Sequence, residues 1–124
     1  MSFPRKRESR DMQDNFIHTN QAAGKWQTLT LCEQLGNVGS EVGRATKWEV
    51  KGMREMRDKA LDRGFELLDL TIADIRWHGP KLKEICRARE VLADTFYGDR
   101  QYGDTPEKME KYFFEFAMAA RIGK

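Results

Sequence analysis

Residues 61–75 read LDRGFELLDLTIADI, and in them Leu61, Phe65, Leu68, Ile72 and Ile75 recur at alternating steps of four and three. That is the a/d spacing that lays one apolar seam along a helix. Met53, Met56, Ala60 and Leu67 lie beside the seam, so the apolar face is wide enough to touch two neighbouring helices. Upstream, Thr46-Lys47-Trp48-Glu49 has the form of a capping box, in which the Thr hydroxyl accepts from the N3 amide and the Glu carboxylate reaches back to the Thr amide. The pattern therefore predicts a helix over 47–75, roughly 43 Å long at 1.5 Å per residue. Downstream, Gly79-Pro80 is a short turn with Pro at the first position of the next helix.

That next helix is expected over 81–97, roughly 25 Å long, with Leu82, Ile85, Cys86, Leu92, Ala93 and Phe96 inward and Gly98 as a left-handed stop. Thr105-Pro106-Glu107 combines an N-cap, a Pro at N1 and an acid in the first turn, three concordant start signals for a last helix. Its buried face would hold Met109, Tyr112, Phe113, Phe116, Ala117 and Ala120. On the N-terminal side the helical pattern begins near residue 20, with Trp26, Leu29, Cys32, Leu35, Val38 and Val42 at steps of three or four. Gly36, Gly39, Ser40 and Gly43 give the same helix a second, very small face. Each interior Gly costs about 1 kcal/mol relative to Ala, so either another helix approaches closely there or the first helix ends near Gly36. No segment alternates long enough for a strand. Four amphipathic helices with short connections predict an all-α, antiparallel up-down-up-down four-helix bundle over 19–124.

Length and composition agree with one domain. The chain has 124 residues, 34% charged and 40% apolar, enough for one continuous core. No apolar run approaches the roughly 20 residues that span a bilayer, so a cytoplasmic protein with no membrane partner is expected. Cys32 and Cys86 form neither a C-x-x-C pair nor a disulfide framework and read as reduced, buried thiols. Residues 1–18 read as a disordered basic arm. Arg5, Lys6, Arg7 and Arg10 against Glu8 and Asp11 supply the whole formal charge of +2, so the remaining chain is neutral. The arm also resembles the translated product of an interspersed bacterial DNA repeat, which makes Met12 an alternative start.

Familiar bundle chemistry is missing from the sequence. A di-iron centre needs Glu-x-x-His on facing helices, yet the residues three before His18 and His78 are Asn15 and Ile75. Gly36-x-x-Gly39-x-x-x-Gly43 lies inside a helix and is no phosphate loop. No metal or cofactor is therefore expected. Most acids stand at helical spacing from a base, as Glu55 does from Lys59, which describes a solvated, ion-paired face. Two basic clusters remain. Arg76, Lys81, Lys83, Arg87 and Arg89 surround Trp77 and His78 at the second turn, with Arg89 read as an inward-facing ion-pair partner. Arg44, Lys47, Lys51, Arg54 and Arg57 crowd the expected start of the second helix. Cations interleaved with aromatics suit phosphate contact and base stacking, so Arg76, Lys81, Lys83, Arg87, Arg44 and Lys47 are the candidate nucleic-acid contacts. The unequal helix lengths would leave Val42, Trp48, Val50 and Met53 without an internal partner. Together with Gly36, Gly39 and Gly43 they form a candidate subunit interface.

The run Gln34-Leu35-Gly36-Asn37-Val38-Gly39-Ser40-Glu41-Val42-Gly43-Arg44, followed by a long charged helix, resembles the 23S-rRNA intervening-sequence four-helix-bundle proteins. The likeness extends over residues 25–122. The wider superfamily includes a cytosolic bacterial protein that forms a ring of five bundles. It also includes the accessory variability protein of diversity-generating retroelements, a pentamer that binds a reverse transcriptase and nucleic acid. The resemblance implies a homopentamer with no catalytic motif, and a nucleic-acid or reverse-transcriptase-like partner. The expected function is a non-enzymatic homo-oligomeric scaffold or adaptor, with a nucleic-acid or ribonucleoprotein accessory role as its specific form. The alternative is a small-ligand-binding or enzymatic bundle whose site is not visible in sequence.

Overall fold

The computed structural model describes residues 24–122, and among them the secondary structure is entirely helical. The arm over 1–18, with His18, lies outside the described residues. Four helices follow in order: α1 Leu31–Val50, α2 Arg54–Ile72, α3 Pro80–Tyr97 and α4 Pro106–Ile122. No helix among the described residues is long and apolar enough to cross a membrane.

The first helix starts later than its apolar periodicity predicts. Trp26 belongs to a separate helical segment that ends there, followed by a turn in which Thr28 N–H donates to the Lys25 carbonyl and Leu29 N–H to that of Trp26. Thr30 is the true N-cap: its hydroxyl accepts from Glu33 N–H at 3.1 Å, and the Glu33 carboxylate accepts from Thr30 N–H at 2.8 Å. Nor does α1 stop at any of its glycines. It runs through Thr46, which caps nothing. The Thr46 hydroxyl is buried and donates back to the Val42 carbonyl at 2.9 Å, a bond compatible with a helix interior. The break falls instead at Lys51-Gly52-Met53, where Gly52 takes φ +73°, a left-handed conformation that a side chain resists.

This relocation corrects the expected lengths. α2 is 19 residues, roughly 28 Å, rather than a rod reaching from 47 to 75, and the four helices have 20, 19, 18 and 17 residues. Ile75 lies beyond α2 and is exposed rather than part of the seam. The last two helices begin where the sequence predicts: Pro80 follows Gly79, and Lys108 N–H donates to the Thr105 hydroxyl at 3.2 Å. Gly98 is not left-handed, however, since its φ is −104° and its ψ −159°. A Cβ there would sit 2.6 Å from Asp94 Oδ1, so the glycine admits the Asp94 carboxylate, whose other oxygen accepts from Tyr102 N–H.

The core draws on every helix: Leu35, Val38, Val42 and Ala45 from α1, Ala60, Leu61 and Leu68 from α2, Ile85, Ala88, Val91 and Leu92 from α3, and Met109 and Phe113 from α4. The α1 backbone approaches both α2 and α4 closely, whereas the α3 backbone stands further from α2 and further still from α4. The tight α1–α4 seam is set by glycine. A Cβ at Gly39 would lie 2.8 Å from Phe113 Cβ, and one at Gly36 would lie 3.0 Å from Ala117 Cα. Only residues without a side chain let these two backbones approach so closely.

Candidate functional site

The turn between α2 and α3 is anchored by a polar cluster under the end of the core. Gln34 on α1 is fully buried and makes three bonds: its amide donates to the Trp26 carbonyl at 2.9 Å and to Asp74 Oδ2 at 3.0 Å, and its oxygen accepts from Trp77 Nε1–H at 2.8 Å. Trp26 Nε1–H donates to the buried Thr71 hydroxyl, which in turn donates to the Leu67 carbonyl. Asp74, 2% exposed, accepts from Arg76 through the backbone N–H and through Nε and Nη2 of the guanidinium. Arg76 Nη2 also reaches the Leu29 carbonyl at 2.7 Å. The Arg76 hydrogen bonds, helped by the Gln34 amide, outweigh burial and hold the Asp74 carboxyl at about 2. Each side-chain polar atom named has a partner, as buried polar groups require. Arg76 is thus occupied by the fold, and its guanidinium also lies 4.5 Å from the Trp77 ring.

Beyond that cluster Lys81, Lys83 and Arg87 of α3 are all exposed, Lys83 and Arg87 one turn apart on the side facing α4 and Lys81 round the helix at its first turn. Lys81 Nζ stands 5.7 Å over the Trp77 ring, and the Arg87 guanidinium 5.4 Å over Tyr102. None of the three cations has an ion-pair partner among the described residues. Because the α3 and α4 backbones stand apart, an open groove of about 790 Å³ runs between them. Ala88, Val91, Met109 and Tyr112 form its apolar side, and its polar lining includes Lys83, Arg87 and Lys108 together with Glu84, Glu90 and Asp104. Tyr112 donates to Glu84 at 2.8 Å across the groove, and burial followed by that bond pushes its phenol well above the usual range. Cys86 lines the same groove, and both cysteines are free and half-buried. The sequence did not bring Lys108 or Tyr112 to this place. Their signal, a Lys and a Tyr four residues apart on α4, is indistinguishable from an ordinary helix flank.

The second basic cluster is dispersed. Arg44 pairs with Glu41 at 3.0 Å, Lys47 is exposed without an ion pair among the described residues, and Arg57 is tied to Glu49 at 2.8 Å and Asp58 at 2.9 Å. Tyr97 completes that last group by donating to Asp58 at 2.7 Å. This bond, then those from Arg57, holds the Asp58 carboxyl below its usual range. Arg89 pairs with Asp69, but near the surface rather than buried, with side chains 38% and 50% exposed.

The residues predicted to join subunits part company. Gly36 and Gly39 face α4 of the same chain, Gly43 abuts Glu110, and Val42 is core. Trp48 is half-buried with Lys51 over its ring, while Val50 and Met53 are exposed. Among the described residues no group of three His, Cys, Asp or Glu side chains could hold a metal ion. Comparison of the chain with protein-family models, with curated proteins and with solved structures gave no match in any of the three.

Proposed function

We propose that the chain is a non-enzymatic, homo-oligomeric scaffold or adaptor that contacts nucleic acid through the exposed cations of α3. The observation that carries this reading is the set of cations on α3: Lys81 and Arg87 lie over aromatic rings, Lys83 stands one turn before Arg87 on its side of the helix, and all three are exposed without ion pairs among the described residues. Such pairs offer phosphate contact and stacking together. Arg76, one of the sequence candidates, serves Asp74 instead and is left out of the contact surface.

The architecture underlying the proposal is an antiparallel up-down-up-down four-helix bundle. Its support is the register of cross-helix pairs: Glu41 with Arg63 and Glu49 with Arg57 between α1 and α2, Asp69 with Arg89 and Asp58 with Tyr97 between α2 and α3, and Gly39 with Phe113 and Gly36 with Ala117 between α1 and α4. In each set one number rises as the other falls. A cytoplasmic location and self-association belong to the same proposal; the sequence resemblance implies five copies, whereas the exposed face of α4 suits two.

Fluorescence anisotropy of a labelled single strand over a salt series tests the contact. Each phosphate neutralised contributes about 0.7 to the slope of log K against log salt for a single strand, so K81E/R87E should flatten that slope by roughly one unit or more and weaken binding. Deleting residues 1–11 should leave most of the effect in place. Binding that vanishes with the arm and survives the double reversal would overturn the proposal. A second reading, a small ligand in the α3–α4 groove, draws on the groove's volume and on its apolar side of Ala88, Val91 and Met109 rimmed by charged groups. A bound molecule in native mass spectra of the purified chain would favour it.

A further inference from the structure

α4 turns Met109 and Phe113 into the core, yet its far side is not simply polar. Phe114, Met118 and Ile122 follow one another at steps of four and are 53%, 37% and 80% exposed. Steps of four make one continuous ridge on a helix surface. Glu110 and Arg121 stand near the two ends of this ridge, both exposed, and neither has an ion-pair partner among the described residues. They are eleven residues apart, which is close to three full turns, so they lie on the same edge of the ridge.

That arrangement is self-complementary. Midway between Phe114 and Met118, a two-fold axis perpendicular to α4 would set Phe114 against Met118 of the partner subunit. Glu110 lies about 9 Å before that point and Arg121 about 8 Å after it, at 1.5 Å per residue. The two-fold keeps edge with edge and reverses direction. Glu110 of one copy therefore meets Arg121 of the partner subunit at nearly the same height, and the pair occurs twice. We infer that two copies of this chain pair antiparallel through α4, with the Phe114–Met118–Ile122 ridge as the apolar centre and the two Glu110–Arg121 pairs fixing the register. This rests on the self-association in the proposed function and supplies the surface for it. An interface of this kind is isologous and closes at two subunits, unlike the head-to-tail contact of a ring of five.

Light scattering coupled to size exclusion on the full chain, at several concentrations, reads the outcome against a protomer mass of 14.5 kDa. Twice that mass is expected for the unaltered chain, and one protomer mass for F114E, whose exposed position leaves the core intact. E110R should raise the dissociation constant roughly tenfold by placing like charges together at both ends. E110R/R121E, which reverses each pair, should restore it. An assembly that F114E leaves unchanged, a mass of five protomers, or a double variant as weak as E110R would overturn this surface while leaving self-association standing. A monomer at every concentration would overturn both.

Discussion

Asp74 shows how a single carboxylate can decide the role of its neighbours. In the sequence it is one of 20 acids, and Arg76 beside Trp77 and His78 reads as a solvent-facing cation. Its burial changes both, because a buried charge must be matched by donors, and Arg76, Gln34 and the Arg76 amide supply them. The consequence is testable by pH. With its carboxyl held at about 2 rather than the ordinary 3.8, the folded state favours the ionised form. The stability this contributes is fully present above about pH 4 and is lost as pH falls towards 2. Asp74→Asn should lower stability by about 1–3 kcal/mol at pH 7, and its urea midpoint should change less between pH 4 and 2 than that of the unaltered chain. Equal midpoints at pH 7 would mean that the cluster adds nothing to folding.

Among the elements, the glycines of α1 and α2 give opposite expectations from one chemistry. Removing a helix-interior glycine should favour the helix by up to about 1 kcal/mol. At Gly64 a Cβ would find only Glu41 Cβ at 3.5 Å, an ordinary contact, so Gly64→Ala should raise the melting temperature. At Gly39 the nearest atom would be Phe113 Cβ at 2.8 Å, and Gly39→Leu should cost roughly 1–3 kcal/mol by overpacking. Differential scanning calorimetry of both variants separates the cases, and a rise for Gly39→Leu would refute the close seam. The sequence foresaw a tight helix contact at this face because small residues recur there at helical steps. It did not reveal that the contact lies within one chain, since spacing carries no information on which helix arrives. Helix starts were legible wherever the signal was local and steric, as at Gly79-Pro80 and Thr105-Pro106. Thr30 and Thr46 each precede a Glu by three residues, yet only Thr30 follows a turn, whereas Thr46 continues a face begun by Val38, Val42 and Ala45.

Over the whole molecule the helices are unequally held. The α1 backbone lies close to both α2 and α4, while the α3 backbone stands further from α2 and furthest from α4. Local opening follows such differences in packing. Amides of α3 should therefore exchange hydrogen well before those of α1 under native conditions, and uniform protection across the two helices would contradict the loose attachment. The same looseness explains what the sequence left unread at the candidate site. The α3 cations were legible as residues, but the groove beside them arises from the spacing of two helices and has no signature in either.

The glycine face of α1 bears on how the chain comes together. α2 follows α1 almost at once, so this hairpin can form early during synthesis. The segment that closes over Gly36 and Gly39 is separated from them by the whole of α2 and α3. Until it arrives, the side of α1 with least side-chain cover stands open beside Val38 and Val42, and transiently exposed apolar surface of this kind invites association with the wrong chain. The contact that lets two backbones meet most closely in the finished molecule is thus among the last to be made, and an emerging chain depends on reaching Phe113 before another molecule does.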